Sequence, residues 1–173
     1  IVGGVHCSIY AKETLGYSDI DYAVTGEAEE SLPSLLKAIT KREDLSTVRG
    51  IAYKKDNGEV IVTPREAEVD VNESPFPARH LLDNEIYYSF ISKYKNFSVF
   101  ITSRGCPYKC IFCEQGSKTF RPRSPKNVVD ELEMCVKEFG IRELDFFDSS
   151  FTIRKQRVID ICDEIKRRKL DII

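Results

Sequence analysis

Apolar residues recur every three or four positions in three parts of the chain, and this spacing predicts three helices with one apolar face each. The apolar face of the first helix carries Leu32, Leu35, Leu36 and Ile39. Pro33 is expected in its first turn, where proline is tolerated. The second helix is predicted over residues 126–139, because Ser124 supplies a cap before it and Gly140 a stop after it. The third is predicted over about residues 154–168.

Short apolar runs without helical spacing predict strands between these helices. They cover residues 22–25, 50–53, 59–62, 98–102 and 143–147, and Ile1-Val2 is interpreted as the end of another strand. Asn57-Gly58 lies between two of these runs and predicts a β-hairpin. From residue 98 onward strands and helices alternate, which is typical of a parallel sheet or barrel with its sites at the carboxyl ends of strands.

Residues 63–78 show little periodicity and contain Pro64, Pro75 and Pro77, so they are predicted to form an extended linker. About residues 80–90 are predicted to form a short helix.

Composition and charge narrow the function classes. The net charge of −2 over 173 residues gives no reason to expect binding to nucleic acid or to a membrane surface. No apolar run approaches the roughly 18–20 residues of a membrane helix, and no signal peptide is recognised. We therefore expect a cytoplasmic protein. The chain begins with Ile1 and both ends lie in apolar stretches, so we expect it to be a piece of a longer protein.

Six cysteines occur in the chain, and three of them are clustered as Cys106, Cys110 and Cys113 with the spacing C-x3-C-x2-C. In a protein of intracellular type this clustering favours metal binding over disulfides. Iron–sulfur clusters usually take four thiolates, and a tetrahedral zinc site takes four ligands. Three thiolates therefore leave one coordination position open for chemistry.

The other three cysteines lie far apart. Cys135 and Cys162 fall on the inward faces of the second and third predicted helices, where a free cysteine acts as a small buried hydrophobe. Cys7 has no partner at ligand spacing.

Residues 97–173 resemble the N-terminal part of a radical S-adenosylmethionine (SAM) domain. The resemblance rests on the cysteine spacing, on Phe112 before the third cysteine, and on segments 103–107 (SRGCP), 121–125 (RPRSP) and 147–152 (FDSSFT). It implies a [4Fe–4S] cluster on Cys106, Cys110 and Cys113, with the amino and carboxylate groups of SAM on the fourth iron. An electron from the reduced cluster would cleave SAM and release a 5′-deoxyadenosyl radical that abstracts hydrogen from a substrate.

The same resemblance implies roles for residues around the loop. Phe112 would lie near the adenine of SAM, and Asp148 and Ser149 would contact its amino end, although the Gly-Gly-Glu form of that motif is absent here. Two plainer interpretations stay open, with Phe112 as a core residue and Asp148 as a capping or turn carboxylate. Several basic residues around the loop would offset cluster charge, meet a partner or form a solvated surface: Arg104, Lys109, Lys118, Arg121 and Arg123.

Residues 1–45 resemble the C-terminal half of a flavodoxin-like, cobalamin-binding domain of the kind fused to radical SAM domains. The resemblance rests on segments 1–6 (IVGGVH) and 21–29 (DYAVTGEAE), and segment 72–79 (NESPFPAR) is similar to the linker of such proteins. It implies that the nucleotide tail of cobalamin is held by Gly3, Gly4, Gly26 and Glu27. The implied domains are 1–45 for cobalamin, 46–96 for the hairpin and linker, and 97–173 for the first units of a radical SAM partial barrel.

Together these resemblances imply a radical SAM enzyme that carries out cobalamin-dependent methyl transfer, or oxidative or ring-forming chemistry, on an unknown substrate. A low-potential electron donor such as a ferredoxin or flavodoxin would be its partner. The start of the cobalamin domain and most barrel strands are missing, so we expect this piece alone to be inactive. No catalytic residue is assigned.

Two other readings of the cysteine loop stay open. Methylthiotransfer to transfer RNA would require an N-terminal domain with its own cluster cysteines, and Cys7 alone is too few. A non-catalytic iron–sulfur or zinc module would require a fourth ligand, and His80 is the histidine nearest to the loop in sequence.

Overall fold

In the computed structural model, which describes residues 1–113 and 119–173, helices and strands form a mixed α/β fold in two units, Ile1–Val69 and Asp70–Ile173. The division falls after the predicted hairpin, so the hairpin shares a unit with the residues before it. The functional domain limits expected from the sequence, 1–45, 46–96 and 97–173, are a separate matter and remain a prediction.

The first unit contains the elements α1 (Val5–Ile9), α2 (Ala11–Thr14), β1 (Tyr22–Val24), α3 (Ala28–Lys41), β2 (Ile51–Lys54) and β3 (Val60–Val62). The three strands form an antiparallel sheet in chain order, in which Ala23 pairs with Ala52 and Ala52 with Val62. Val2 adds a single parallel bridge to Ala23. The flavodoxin-like parallel sheet remains a prediction, because this bridge is the one parallel pairing among the described residues of the unit.

The sheet of the first unit is covered on both faces, because successive side chains of a strand point to opposite sides. Val24 and Ile51 pack with Leu35 of α3 on one side. Ala23 packs with Leu15, beside α1 and α2, on the other.

Helix α3 differs from the sequence prediction at two positions. Leu36 is 48% exposed, because the buried stripe runs through Leu35 and Ala38 instead. The helix begins at Ala28, so Pro33 lies inside it rather than in its first turn. Both predictions are therefore wrong.

The second unit contains β4 (Phe97–Phe100), β5 (Ser103–Arg104), β6 (Arg121–Pro122), α4 (Pro125–Phe139), β7 (Glu143–Phe146) and α5 (Lys155–Arg167). β4 and β7 are parallel, with Phe97 opposite Glu143 and Phe100 opposite Phe146. The strand–helix alternation therefore predicts the parallel pairing correctly. β5 and β6 form a separate antiparallel pair.

Helix α4 begins one residue before the predicted start at 126 and ends at Phe139, as predicted. The Ser124 hydroxyl accepts a hydrogen bond from the Asn127 N–H at 3.2 Å, and Pro125 is the first helical residue. Gly140 ends the helix with φ 63°, a left-handed conformation that glycine adopts readily. Cys135 is fully buried in the core of the unit, as predicted.

Helix α5 places Ile161 in that core and leaves Cys162 exposed, so the prediction of an inward Cys162 is wrong. Successive helical residues differ by about 100° in direction, and a one-position error in the inward face therefore exchanges a buried residue for an exposed one.

The connection between the hairpin and β4 is irregular. Residues 63–78 form neither helix nor strand, as predicted, whereas the short helix predicted over 80–90 is replaced by two 3₁₀ turns, Arg79–Leu81 and Asn84–Ile86. Among the helices that the structure describes, none combines the length and apolar character needed to span a membrane.

Candidate functional site

The cysteine loop leaves the carboxyl end of β4, and its two ends are held together. Ser103 pairs with Pro122 and Arg104 with Arg121 in the β5–β6 ladder. The Arg123 N–H also donates to the Thr102 carbonyl at 2.9 Å. The loop is therefore a closed excursion at the end of the first parallel strand, which is where α/β folds carry their sites.

The three cysteines lie on the outer part of this excursion. Cys106 is partly buried, and Cys110 and Cys113 are exposed. In residues 1–113 and 119–173, no three Cys, His, Asp or Glu side chains lie close enough together to hold a metal ion. The donor set nevertheless fits an iron–sulfur cluster chemically, because three thiols within residues 106–113 are the soft ligands that such clusters take.

Phe112 is 91% exposed, so the interpretation of this residue as ordinary core is wrong. An exposed aromatic ring beside the cysteines is available to stack on a planar group such as adenine. The contact with SAM itself remains a prediction.

Asp148, at the end of β7, binds the residues that open the cysteine loop. Its Oδ1 accepts the Thr102 N–H at 3.0 Å and also the Ser103 hydroxyl, and its Oδ2 accepts the Thr102 hydroxyl at 2.8 Å. These contacts run between distant parts of the chain and are neither a helix cap nor a turn, so the interpretation of Asp148 as a capping or turn carboxylate does not describe them. Ser149 is exposed next to it.

Arg157 of α5 binds the same loop base, and the sequence did not identify it. Its guanidinium donates to the Thr102 carbonyl at 2.6 Å and to the Arg123 carbonyl at 2.8 Å. Burial lowers the pKa of Arg157, and the nearby Asp148 carboxylate opposes that shift. A sequence signal existed, since Arg157 precedes the buried Ile161 by one helical turn.

A second buried charged group fastens the linker to β4. Glu131 of α4 accepts from Arg79 at 2.8 Å and from Arg123 at 2.5 Å. Arg79 also donates to the Val99 carbonyl at 3.2 Å, and Arg123 to the Ile101 carbonyl at 3.1 Å. The linker and the exit of the cysteine loop are therefore both anchored on the first parallel strand.

The basic residues near the loop do not behave as one solvated surface. The side chain of Arg123 is 11% exposed and ion-paired, so that interpretation is wrong for it. Arg104 and Arg121 form the ladder at the loop base. Lys109 is exposed, and Lys118 lies outside the described residues.

A cavity of about 290 Å³ lies beside the loop base in the second unit. Val99 of β4 and Ile101 just after it line the cavity, together with Ser103, Arg104 and the linker residue Phe76. Its lining combines apolar side chains with the guanidinium groups of Arg79, Arg104 and Arg123, a combination typical of ligand-binding pockets.

In the first unit, the glycines expected to hold cobalamin lie in two loops joined by Ser8. Gly4 and Gly26 have φ values of 101° and 83°, which side chains other than glycine rarely adopt. The Ser8 hydroxyl donates to the Gly4 carbonyl at 2.9 Å and accepts the Gly26 N–H at 2.8 Å. No pattern in the sequence singled out Ser8, because its partner Gly26 is distant along the chain.

The other two predicted cobalamin residues have different surroundings. A side chain at Gly3 would contact the Val24 carbonyl at 3.6 Å, so there is ordinary room at this position. The Glu27 carboxylate accepts the Val69 N–H at 3.1 Å and thereby holds the segment that follows the hairpin. Its role toward cobalamin remains a prediction.

No family model matches the chain. It is 37% identical, over 99% of its length, to an uncharacterized methyltransferase of Pyrococcus horikoshii, of which it covers 38%. It is 31% identical, over 100% of its length, to the anaerobic magnesium-protoporphyrin IX monomethyl ester cyclase of Rubrivivax gelatinosus, of which it covers 32%. The chain therefore spans about a third of the length of these relatives.

Two solved structures have the same fold over nearly the whole chain. OxsB, a cobalamin-dependent SAM radical enzyme solved with aqua-cobalamin and SAM bound, matches with a TM-score of 0.77 and 29% identity over 99% of this chain and 25% of its own. TsrM from Kitasatospora setae, a radical SAM methyltransferase solved with cobalamin and a [4Fe–4S] cluster, matches with a TM-score of 0.66 and 26% identity over 97% of this chain and 34% of its own.

Proposed function

The chain is a homologue of the cobalamin-dependent radical SAM enzymes, and from this premise we propose that Cys106, Cys110 and Cys113 hold a [4Fe–4S] cluster. The observation that carries the proposal is the cysteine loop: three thiols follow the end of a parallel strand on a loop whose two ends are paired. Soft thiolates are the usual ligands of such clusters, and three of them leave one iron free for SAM.

Residues at the rim of the loop are proposed to bind SAM. Phe112 is exposed and would stack on the adenine. Ser149, at the end of the second parallel strand, would contact the amino end. When bound, the cluster and SAM together supply a reductive cleavage that yields a 5′-deoxyadenosyl radical. The chain itself holds and orients these groups, as proteins do for cofactors that carry the chemistry.

The first unit is proposed to bind the nucleotide tail of cobalamin. Gly4 and Gly26 place bare backbone in two neighbouring loops, and a side chain built at either would meet no other atom within 4 Å. Open space over glycine backbone allows close approach of a ligand. Gly3 and Glu27 complete the proposed set from the start and end of the same two loops.

The proposed reaction is methyl transfer or oxidative, ring-forming chemistry on a substrate not yet identified. One similar protein is a methyltransferase and another is a cyclase, so both outcomes are compatible with this architecture. A low-potential donor such as a ferredoxin or flavodoxin would supply the electron.

Anaerobic reconstitution of the intact protein with iron and sulfide tests the metal assignment. We expect about four iron and four sulfide per chain in the unmodified protein and in the control Cys162→Ala, whose cysteine lies on α5 away from the loop. The variant in which Cys106, Cys110 and Cys113 are all alanine should bind no cluster. Equal iron in both variants, or stoichiometric zinc in place of iron, would overturn the proposal.

A further inference from the structure

We infer that Asp148 is a positioning residue for the cysteine loop and not a ligand of SAM. The inference rests on the proposed function, because it assigns a role toward the cluster-bearing loop. It replaces the expectation that Asp148 contacts the amino end of SAM.

The carboxylate of Asp148 is committed to the first two residues of the loop. Both oxygens are used, and together they accept the Thr102 N–H, the Thr102 hydroxyl and the Ser103 hydroxyl. Thr102 is 0% exposed and Ser103 is 6% exposed, so water cannot replace these bonds without opening the core. A buried donor that loses its acceptor raises the free energy of the folded state, so Thr102 and Ser103 are held to the Asp148 carboxylate.

Thr102 is the point at which the entrance and the exit of the loop meet. Its carbonyl accepts from the Arg123 N–H at 2.9 Å and from the Arg157 guanidinium at 2.6 Å. Arg157 donates to the Arg123 carbonyl as well. Asp148, two residues after β7, and Arg157 of α5 therefore hold both ends of the cysteine loop.

A positioning role and a ligand role make different predictions about SAM. If Asp148 holds the loop, its loss disturbs the placement of the thiols before any cofactor binds. If Asp148 binds the SAM ammonium group, its loss weakens the binding of SAM and leaves the loop base intact. The two roles can thus be separated by measuring the loop and the SAM affinity independently.

The test uses Asp148→Ala, Asp148→Asn and the control Asp145→Asn in the intact protein. Asp145 is an exposed carboxylate of β7, three residues before Asp148. Hydrogen–deuterium exchange of the peptide containing Thr102, recorded without iron, reports on the loop base directly. Iron content, the electron paramagnetic resonance (EPR) line shape of the reduced cluster and the SAM dissociation constant of the loaded fraction report on the cofactors.

In Asp148→Ala we expect the Thr102 amide to exchange at least about 10-fold faster, since it loses its one charged acceptor. Iron content should fall several-fold with a broadened EPR line, while the loaded fraction binds SAM within about two-fold of the unmodified protein. Asp148→Asn keeps one acceptor oxygen, so its exchange rate and iron content should lie between those of Asp148→Ala and the unmodified protein. This variant provides the test if the alanine variant does not fold. Asp145→Asn should match the unmodified protein.

Unchanged exchange and iron content in both Asp148 variants would overturn the inference. A SAM dissociation constant raised 10-fold or more, with exchange unchanged, would make Asp148 a SAM ligand instead. Failure of the unmodified protein to take up iron is distinguishable, because it overturns the proposed cluster while the exchange data still decide whether Asp148 holds the loop base.

Discussion

Glu131 shows how single residues hold the second unit together. Its side chain is 2% exposed, and its two oxygens accept from Arg79 and Arg123. These guanidinium groups also donate to the carbonyls of Val99 in β4 and of Ile101 just after it. One carboxylate thus supports the linker, the loop exit and the first parallel strand together.

Replacing Glu131 with alanine should lower the free energy of unfolding by about 3–5 kcal/mol, because two buried guanidinium groups lose their anion. Urea unfolding of the intact protein measures the change. The control Glu138→Ala removes an exposed carboxylate from the same helix and should cost no more than about 0.5 kcal/mol. Equal losses in the two variants would show that the buried ion pairs contribute nothing beyond helix propensity.

Cys135 and Cys162 should differ sharply in reactivity. Cys135 is 0% exposed, and burial raises the pKa of its thiol to about 11, whereas Cys162 is exposed. In the native protein we expect iodoacetamide to modify Cys162 and to spare Cys135 until unfolding, as peptide mapping by mass spectrometry would show. Similar labelling rates for the two thiols would contradict the packing described for α4 and α5.

The raised pKa of Cys135 also makes the free energy of unfolding depend on pH. Its folded-state pKa lies above the ordinary value of 9.0, so the buried neutral thiol stabilises the fold fully below pH 9 and that contribution is lost as the pH rises towards 11.

Residue-level predictions succeeded where the local pattern was sufficient. Cys135 sits among apolar residues at helical spacing, and its burial was predictable. Glu131 has the same spacing from Val128 and Cys135, so a charged residue on an apolar face was a visible sign of a buried ion pair. Its partner Arg79 was not predictable, because 52 residues separate the two.

At the scale of elements, local chemistry determined α4 and long-range contacts determined the loops. Ser124 and Gly140 bound α4 through side-chain capping and a left-handed residue, both visible in the sequence. The β5–β6 ladder joins residues on either side of a segment without periodicity. Its pairing depends on Thr102, Asp148 and Arg157, which come together only in the folded chain.

Ser8 joins two loops of the first unit, and its hydroxyl should matter for cobalamin. We expect Ser8→Ala to weaken cobalamin binding by the intact protein about 10-fold, because the Gly26 N–H and the Gly4 carbonyl lose a shared partner. Equilibrium dialysis with visible absorption of cobalamin measures this. Ser18→Ala is the matched control, since the Ser18 hydroxyl donates a hydrogen bond to the neighbouring Asp19 carboxylate on the surface. Unchanged affinity in Ser8→Ala would remove the link between these loops and cobalamin.

At the scale of the whole molecule, each of the two units carries one proposed cofactor site. Gly4 and Gly26 lie in Ile1–Val69, and the cysteine loop lies in Asp70–Ile173. The cysteine spacing and its flanking segments were enough to predict the enzyme class from the sequence. The substrate was not predictable, because the cysteine loop and the glycine loops are both proposed to bind cofactors and no residue was assigned to catalysis.

EPR spectroscopy of the reconstituted, reduced intact protein, recorded with and without SAM, tests the central claim most directly. We predict the signal of a reduced [4Fe–4S] cluster whose g values shift when SAM is added, because the iron without a cysteine ligand is open to SAM. The signal should be absent when Cys106, Cys110 and Cys113 are replaced by alanine. A cluster signal that does not respond to SAM, or bound zinc without iron, would contradict the assignment of this loop to radical SAM chemistry.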